Sequence, residues 1–144
     1  MLISHIHGDH FSLDQIKKLL PKKLYVNREC RETLGEEELQ IEIVEINVGD
    51  TIDIDAFRIE LFNVDHGPNV SAPVLENFGF LIEADKKKIY FAGDMFYDSG
   101  IDVGALSVDC AMLPIGGFYT FGPLEALEFA KKFKSIKQII PMHY

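Results

Sequence analysis

A chain of 144 residues with a net charge of −9 at pH 7, 47% hydrophobic and 26% charged, has the length of one domain and the composition of an ordinary folded protein, which excludes a disordered or fibrous chain. The acidic balance argues against a nucleic-acid binder, whose hold on phosphates needs a basic face. No apolar run reaches the roughly 18–20 residues of a membrane span, and no basic-then-apolar leader opens the sequence. Cys30 and Cys110 lie far apart without a metal-site spacing. They read as free thiols, Cys110 buried in its apolar run, and the cytoplasm follows as the expected compartment.

In chain order, Met1–Ile3 reads as the tail of a strand entering the histidine-rich stretch "SHIHGDHF", Ser4–Phe11. Ser12 with Gln15 three residues later forms a capping box for the helix "LDQIKKLL", which stops at Pro21. "KLYVN" predicts a short strand and "RECRETLGEEEL" a helix ending near Gly35. From Ile41 the period becomes two, in "IEIVEINV" and "DTIDIDAFRIELFNV", parted by a turn at Gly49 and Asp50. These predict antiparallel strands with one acidic, solvated face. "FGFLIEA" and "KIYFAG" flank "DKKK" as a hairpin, and "DCAMLPI" reads as a strand buried on both faces. "GPLEALEFAKKF" is a helix with Pro123 in its first turn and Leu124, Leu127 and Ala130 on its apolar stripe, and "KQIIPMHY" is a final strand. The sum is an α+β chain, expected to be one domain over 1–144.

Three of the five histidines, His5, His7 and His10, fall in eight residues beside Asp9. In an extended stretch, residues two apart point the same way, so His5 and His7 can share one ion. Gly8 would let the chain turn so that Asp9 and His10 face a second position. Neutral imidazole with carboxylate is the donor set that zinc and similar borderline ions take. His66, Asp94 and His143 each stand where a strand gives way to a loop, where a rigid sheet can hold a ligand accurately. Any one of them alone carries little weight. Together with the HxHxDH spacing they point to metal binding, and to two ions with about three protein ligands each.

"HIHGDH", with the later "DHG", "FAGD" and "PMHY", resembles the ligand motifs of the metallo-β-lactamase superfamily in their usual order. "GFLIEADKKKIYFAGD" and "MLPIGGFYTFGPLEALEFAK" are most similar to the small cytosolic metal-dependent hydrolases that include ascorbate-6-phosphate lactonase. The resemblance implies an αββα sandwich. It implies that His5, His7 and His66 hold one metal, that Asp9, His10 and His143 hold the second, and that Asp94 bridges them. The ions would be zinc, with manganese or iron as alternatives. The implied reaction is attack by a metal-bridging hydroxide on an ester, lactone or phosphoester of a small metabolite, with Asp9 orienting the nucleophile. Aspartate rather than cysteine at 94 favours the binuclear hydrolase type over the true β-lactamases.

Members of this fold usually carry strands ahead of the HxHxDH loop, whereas Met1–Ser4 alone precede His5 here. The expectation is an N-terminally truncated domain with an open sheet edge, which a second copy of the chain or a partner segment would cover. The competing function is a metal-binding remnant or subunit without turnover. A nuclease is disfavoured by the net charge, and iron–oxygen chemistry by His7, where that branch has Glu with an attached flavin domain. Candidate substrate-binding residues are Asn69, Tyr97 and Tyr119, with Ser71 and Phe118 beside them.

Overall fold

Ser12 caps the first helix as its position predicts. Its hydroxyl accepts from the Gln15 backbone N–H at 3.4 Å, and α1 runs Leu13–Leu19. The helix ends one residue short of its apolar run because Leu20 adopts a left-handed conformation (φ 43°) ahead of Pro21, which disfavours a helical residue before it. The computed structural model describes residues 1–35, 39–68, 73–98 and 101–144. It divides into two units, Met1–Asn47 with Ala72–Glu76, and Val48–Ser71 with Asn77–Tyr144.

In the first unit, β1 (Lys23–Val26) is followed by α2 (Arg28–Leu34), whose first turn is capped by the Asn27 side chain accepting from the Cys30 N–H at 2.8 Å. The next strand, β2 (Glu42–Glu45), pairs parallel with β1, Leu24 opposite Ile43 and Val26 opposite Glu45. This corrects the expectation that the "IEIVEINV" run pairs antiparallel with the run after it. Alternation fixes which face a strand buries but not its partner, and α2 is the crossover that a parallel neighbour requires. Leu2 bridges Tyr25, and Ile3 N–H donates to the Tyr25 carbonyl at 3.0 Å, which sets the histidine stretch at the end of an extended segment. Ile3, Phe11, Ile16, Leu24, Val26, Cys30 and Leu34 form this unit's core. Burial pushes the Cys30 thiol up to about 12. We expect a thiol reagent at pH 8 to leave Cys30 unlabelled in the native protein and to label it on denaturation; labelling of Cys30 under native conditions would contradict this packing.

The second unit is a six-stranded sheet in the order β3 (Thr51–Ile54), β4 (Phe57–Asn63), β5 (Phe78–Ala84), β6 (Lys87–Phe91), β7 (Ser107–Pro114) and β8 (Ser135–Met142). It is antiparallel from β3 to β6 and parallel from β6 to β8. The predicted hairpin turns at Asp85 (φ 48°) and Lys86 (φ 62°), two left-handed residues whose twist matches the strands they join. The long run before it also turns, at Asp55 (φ 53°), so that one predicted strand is two.

Strand β7 is not buried on both faces as expected. Val108, Ala111, Leu113 and Pro114 are buried, while Asp109, Cys110 and Met112 are half-buried. Asp109 accepts from Lys137 at 2.7 Å and Lys87 at 3.2 Å, cations from the strands on either side. Between β7 and β8, α3 (Pro123–Ala130) turns Ala126, Phe129 and Ala130 inward. Of the predicted stripe Ala130 is buried, whereas Leu124 is 74% and Leu127 50% exposed. Two overlapping stripes fit the helical period, and the one that turns inward is the one whose Phe129 meets other aromatic rings. Phe129 lies 5.9 Å from the Tyr90 ring, 5.6 Å from Phe133 and 5.6 Å from Phe121 by centroid. Among the described residues no helix is long and apolar enough to cross a membrane.

Candidate metal centre

The histidine loop folds on itself over four residues. His10 and Phe11 N–H both donate to the His7 carbonyl, at 2.9 and 2.7 Å. Gly8 has no left-handed φ, and a Cβ built on it would meet nothing within 4 Å, so the turn does not need glycine there, contrary to expectation. The turn brings the four predicted donors together. His5 Nε2 lies 3.2 Å from His7 Nδ1, and His10 Nε2 lies 3.7 Å from Asp9 Oδ2. The His5 ring packs edge-on to His7 (centroids 4.8 Å) and tilted against His10 (4.1 Å). Behind the rings, the Ser4 hydroxyl is 3.0 Å from His5 Nδ1 and 3.0 Å from His10 Nδ1.

The second unit brings the other three donors together at its strand ends. Asp94 Oδ2 lies 3.1 Å from His143 Nε2 and 3.4 Å from His66 Nε2, so one carboxylate oxygen stands between two imidazole nitrogens. Asp94 and His66 are buried, and His143 is half-buried. Burial alone would favour a neutral His66 ring. The Asp94 carboxylate and the backbone carbonyls of His66 and Tyr119 outweigh it, so the imidazole pKa stands above its ordinary value. Close packing of backbone holds the set: a Cβ on Gly116 would come within 2.5 Å of the His143 carbonyl oxygen, and one on Gly67 within 2.4 Å of the Phe96 ring.

The donor types and spacings in both sets are those of divalent-cation ligands. Two nitrogens on a tetrahedral zinc, each at about 2.0–2.1 Å, lie about 3.3 Å apart. That matches the 3.2 Å between His5 Nε2 and His7 Nδ1 and the spacings around Asp94 Oδ2.

Of the predicted substrate residues, Tyr97 is 50% exposed and packs edge-on against Phe96, and Tyr119 is 47% exposed and packs edge-on against Phe118. Tyr119 sits beside His66 through its carbonyl, which the sequence reading did not foresee. Asn69 and Ser71 lie outside the described residues. Two supporting residues were also missed. Ser4 directly precedes the motif, and its hydroxyl joins two of the histidines. Asn77 donates from its side-chain amide to the Asp94 carbonyl at 3.0 Å and accepts the Val64 N–H on its own carbonyl at 2.8 Å, tying the ends of β4 and β6 together. Only the position of Ser4 beside the histidines offered a signal; Asn77 stands seventeen residues from Asp94 in a stretch without a motif.

Residues 1–144 match the family model of the beta-lactamase superfamily domain. The chain is 35% identical over 152 residues to a UPF0173 metal-dependent hydrolase of Korarchaeum cryptofilum, covering 99% of this chain and 63% of that protein. It is 33% identical over 151 residues to one of Thermococcus onnurineus, covering 100% and 66%. The chain therefore spans a little under two thirds of the length of these relatives. Among solved structures it is similar to Igni18, a metallo hydrolase from the archaeon Ignicoccus hospitalis, with a TM-score of 0.74 at 26% identity over 99% of this chain and 62% of that one. The metallo-beta-lactamase fold protein YhfI from Bacillus subtilis gives a TM-score of 0.79 at 12% identity, over 99% and 63%, a likeness of fold alone. With the family model matched from end to end and the same fold in its structural neighbours, the chain belongs to the beta-lactamase superfamily domain family and has the metallo-β-lactamase α+β fold.

Proposed function

We propose that the protein is a binuclear metal-dependent hydrolase in which His5, His7 and His66 hold one divalent ion, Asp9, His10 and His143 hold a second, and Asp94 bridges the two. The observation that carries the reading is Asp94 Oδ2, a single buried carboxylate oxygen 3.1 and 3.4 Å from two imidazole Nε2 atoms. The similarity to proteins named metal-dependent hydrolases supports the reaction class. Zinc fits the histidine-rich donors best, with manganese and iron as alternatives. When bound, such a pair of ions acidifies the water between them and polarises a carbonyl or phosphoryl oxygen.

The chain's own residues then do the rest. Asp9, exposed at the lip of its loop, orients the attacking water and takes its proton. Asp94 keeps a negative charge fixed between His66 and His143, and Asn77 holds the Asp94 backbone. Tyr97 and Tyr119 offer exposed aromatic faces for the substrate, a small ester, lactone or phosphoester. Partners are proposed on the same footing: that small molecule, and a second copy of the chain along an outer strand of the six-stranded sheet, β3 or β8. The free thiols Cys30 and Cys110 suit a reducing compartment, the cytoplasm.

Elemental analysis of untagged protein, purified without chelator, tests the proposal. About two equivalents of zinc, manganese or iron per chain are expected, with turnover of a lactone, ester or phosphodiester reporter that is lost on chelation and restored by the metal. Folded protein with no bound metal would overturn it. Two bound ions without turnover of any reporter would move the protein to the class of non-catalytic metal-binding subunits.

A further inference from the structure

Ser4 is 5% exposed, and its hydroxyl touches two of the loop's three histidines. The two rings belong to different donor pairs: His5 presents Nε2 to His7, and His10 presents Nε2 to Asp9. Both turn their other nitrogen, Nδ1, to the same oxygen, at 3.0 Å each. A neutral imidazole has one N–H and one lone pair. A ring that offers the Nε2 lone pair to a cation must carry its proton on Nδ1, and that N–H needs an acceptor that also fixes the plane of the ring. A hydroxyl oxygen has two lone pairs. Ser4 Oγ can therefore accept from both rings at once, its own proton turned aside.

We propose that Ser4 is a positioning residue for metal binding: one shared acceptor that holds His5 and His10 with Nδ1 protonated and Nε2 bare, so that the orientation of both rings depends on a single hydroxyl. The inference rests on the metal-binding reading above. It differs from a structural role for a buried serine in what it requires. The hydroxyl must set the tautomer of two named rings, and its loss must weaken the hold on metal rather than the fold.

The test combines a variant series with a direct look at the rings. Zinc affinity is measured by competition with a chromophoric chelator for wild type, Ser4→Ala and Ser4→Thr, alongside the thermal midpoint of each metal-free protein. Ser4→Ala should bind zinc about 10–100-fold more weakly, the usual effect of removing a partner that orients a ligand, with a metal-free midpoint close to wild type. Ser4→Thr, which keeps the oxygen, should restore the affinity. Zinc affinity unchanged in Ser4→Ala would overturn the proposal, as would a shared loss in Ser4→Ala and Ser4→Thr. Independently of any variant, long-range ¹H–¹⁵N correlation spectra of zinc-loaded wild type should show His5 and His10 both protonated at Nδ1; either ring protonated at Nε2 would overturn it. Wild type that binds no zinc, manganese or iron would overturn the metal reading itself, and this proposal with it, whereas an effect missing from Ser4→Ala alone leaves that reading standing.

Discussion

Replacing Asp94 by alanine is expected to release at least one metal ion per chain and to lower hydrolysis of a reporter substrate by about 10²–10³-fold or more, the scale of deleting one preorganised electrostatic group. The reason is position rather than charge alone. The side chain is 3% exposed and places one oxygen within 3.4 Å of two imidazole nitrogens, an arrangement that another carboxylate could reproduce only from the same backbone site. That site is held by the Asn77 amide at the Asp94 carbonyl. The metal-free variant should still fold, because without the carboxylate beside it the buried His66 ring can shed its proton instead of remaining an unpaired buried charge. What disappears is linkage: an ion at 100 times its dissociation constant stabilises wild type by about 2.7 kcal/mol, and Asp94→Ala should gain less. Melting curves with and without zinc, read beside elemental analysis, separate the two effects. A variant that keeps two ions and wild-type turnover would remove Asp94 from the site.

Much of this centre was legible in the sequence because its donors come together locally or at recognisable strand ends. His5, His7, Asp9 and His10 need only a tight turn to converge, and the spacing of the motif encodes that turn. His66, Asp94 and His143 each stand just past a strand-like apolar run, so their place at a sheet margin could be read from where those runs stop. The Asp85–Lys86 hairpin was equally plain, since polar turn residues flanked by two apolar runs leave few alternatives. What escaped depended on partners distant in sequence. Strand β2 has a pattern that suits either neighbour, and α2 decided for β1. Helix α3 offered two overlapping stripes, and the choice lay partly with Tyr90, more than thirty residues before it in the chain. Gly8 looked like a hinge because glycine often is one, yet its backbone is one that other residues adopt. Ser4 and Asn77 were passed over because their value lies in single hydrogen bonds, which no periodicity records.

Gly93→Ala should be a strongly damaging small-to-small substitution beside Asp94. Gly93 is left-handed at φ 64°, and a Cβ there would lie 2.7 Å from the Phe78 carbonyl oxygen. That oxygen belongs to the backbone of β5, which is paired on both sides: Phe78 opposes Asn63 of β4, and Phe80 opposes Phe91 of β6. It cannot swing aside as a side chain would. Left-handed backbone in a residue with a Cβ costs about 1–2 kcal/mol, and forcing an extra carbon into packed structure about 1–3 kcal/mol more. The sum, about 2–5 kcal/mol, corresponds to a melting point lower by about 5–15 °C in a chain of this size. Gly67→Ala should be milder, for although its φ is 76°, the clash is with the Phe96 ring, which can move. Gly8→Ala should leave stability unchanged, having neither a left-handed φ nor a neighbour within 4 Å. Gly93→Ala should also weaken metal binding, since the displaced peptide carries Asp94 with it. The three variants therefore rank by what lies opposite the new carbon, and equal melting points for Gly93→Ala and Gly8→Ala would mean that the chain does not pass Phe78 this closely on its way into Asp94.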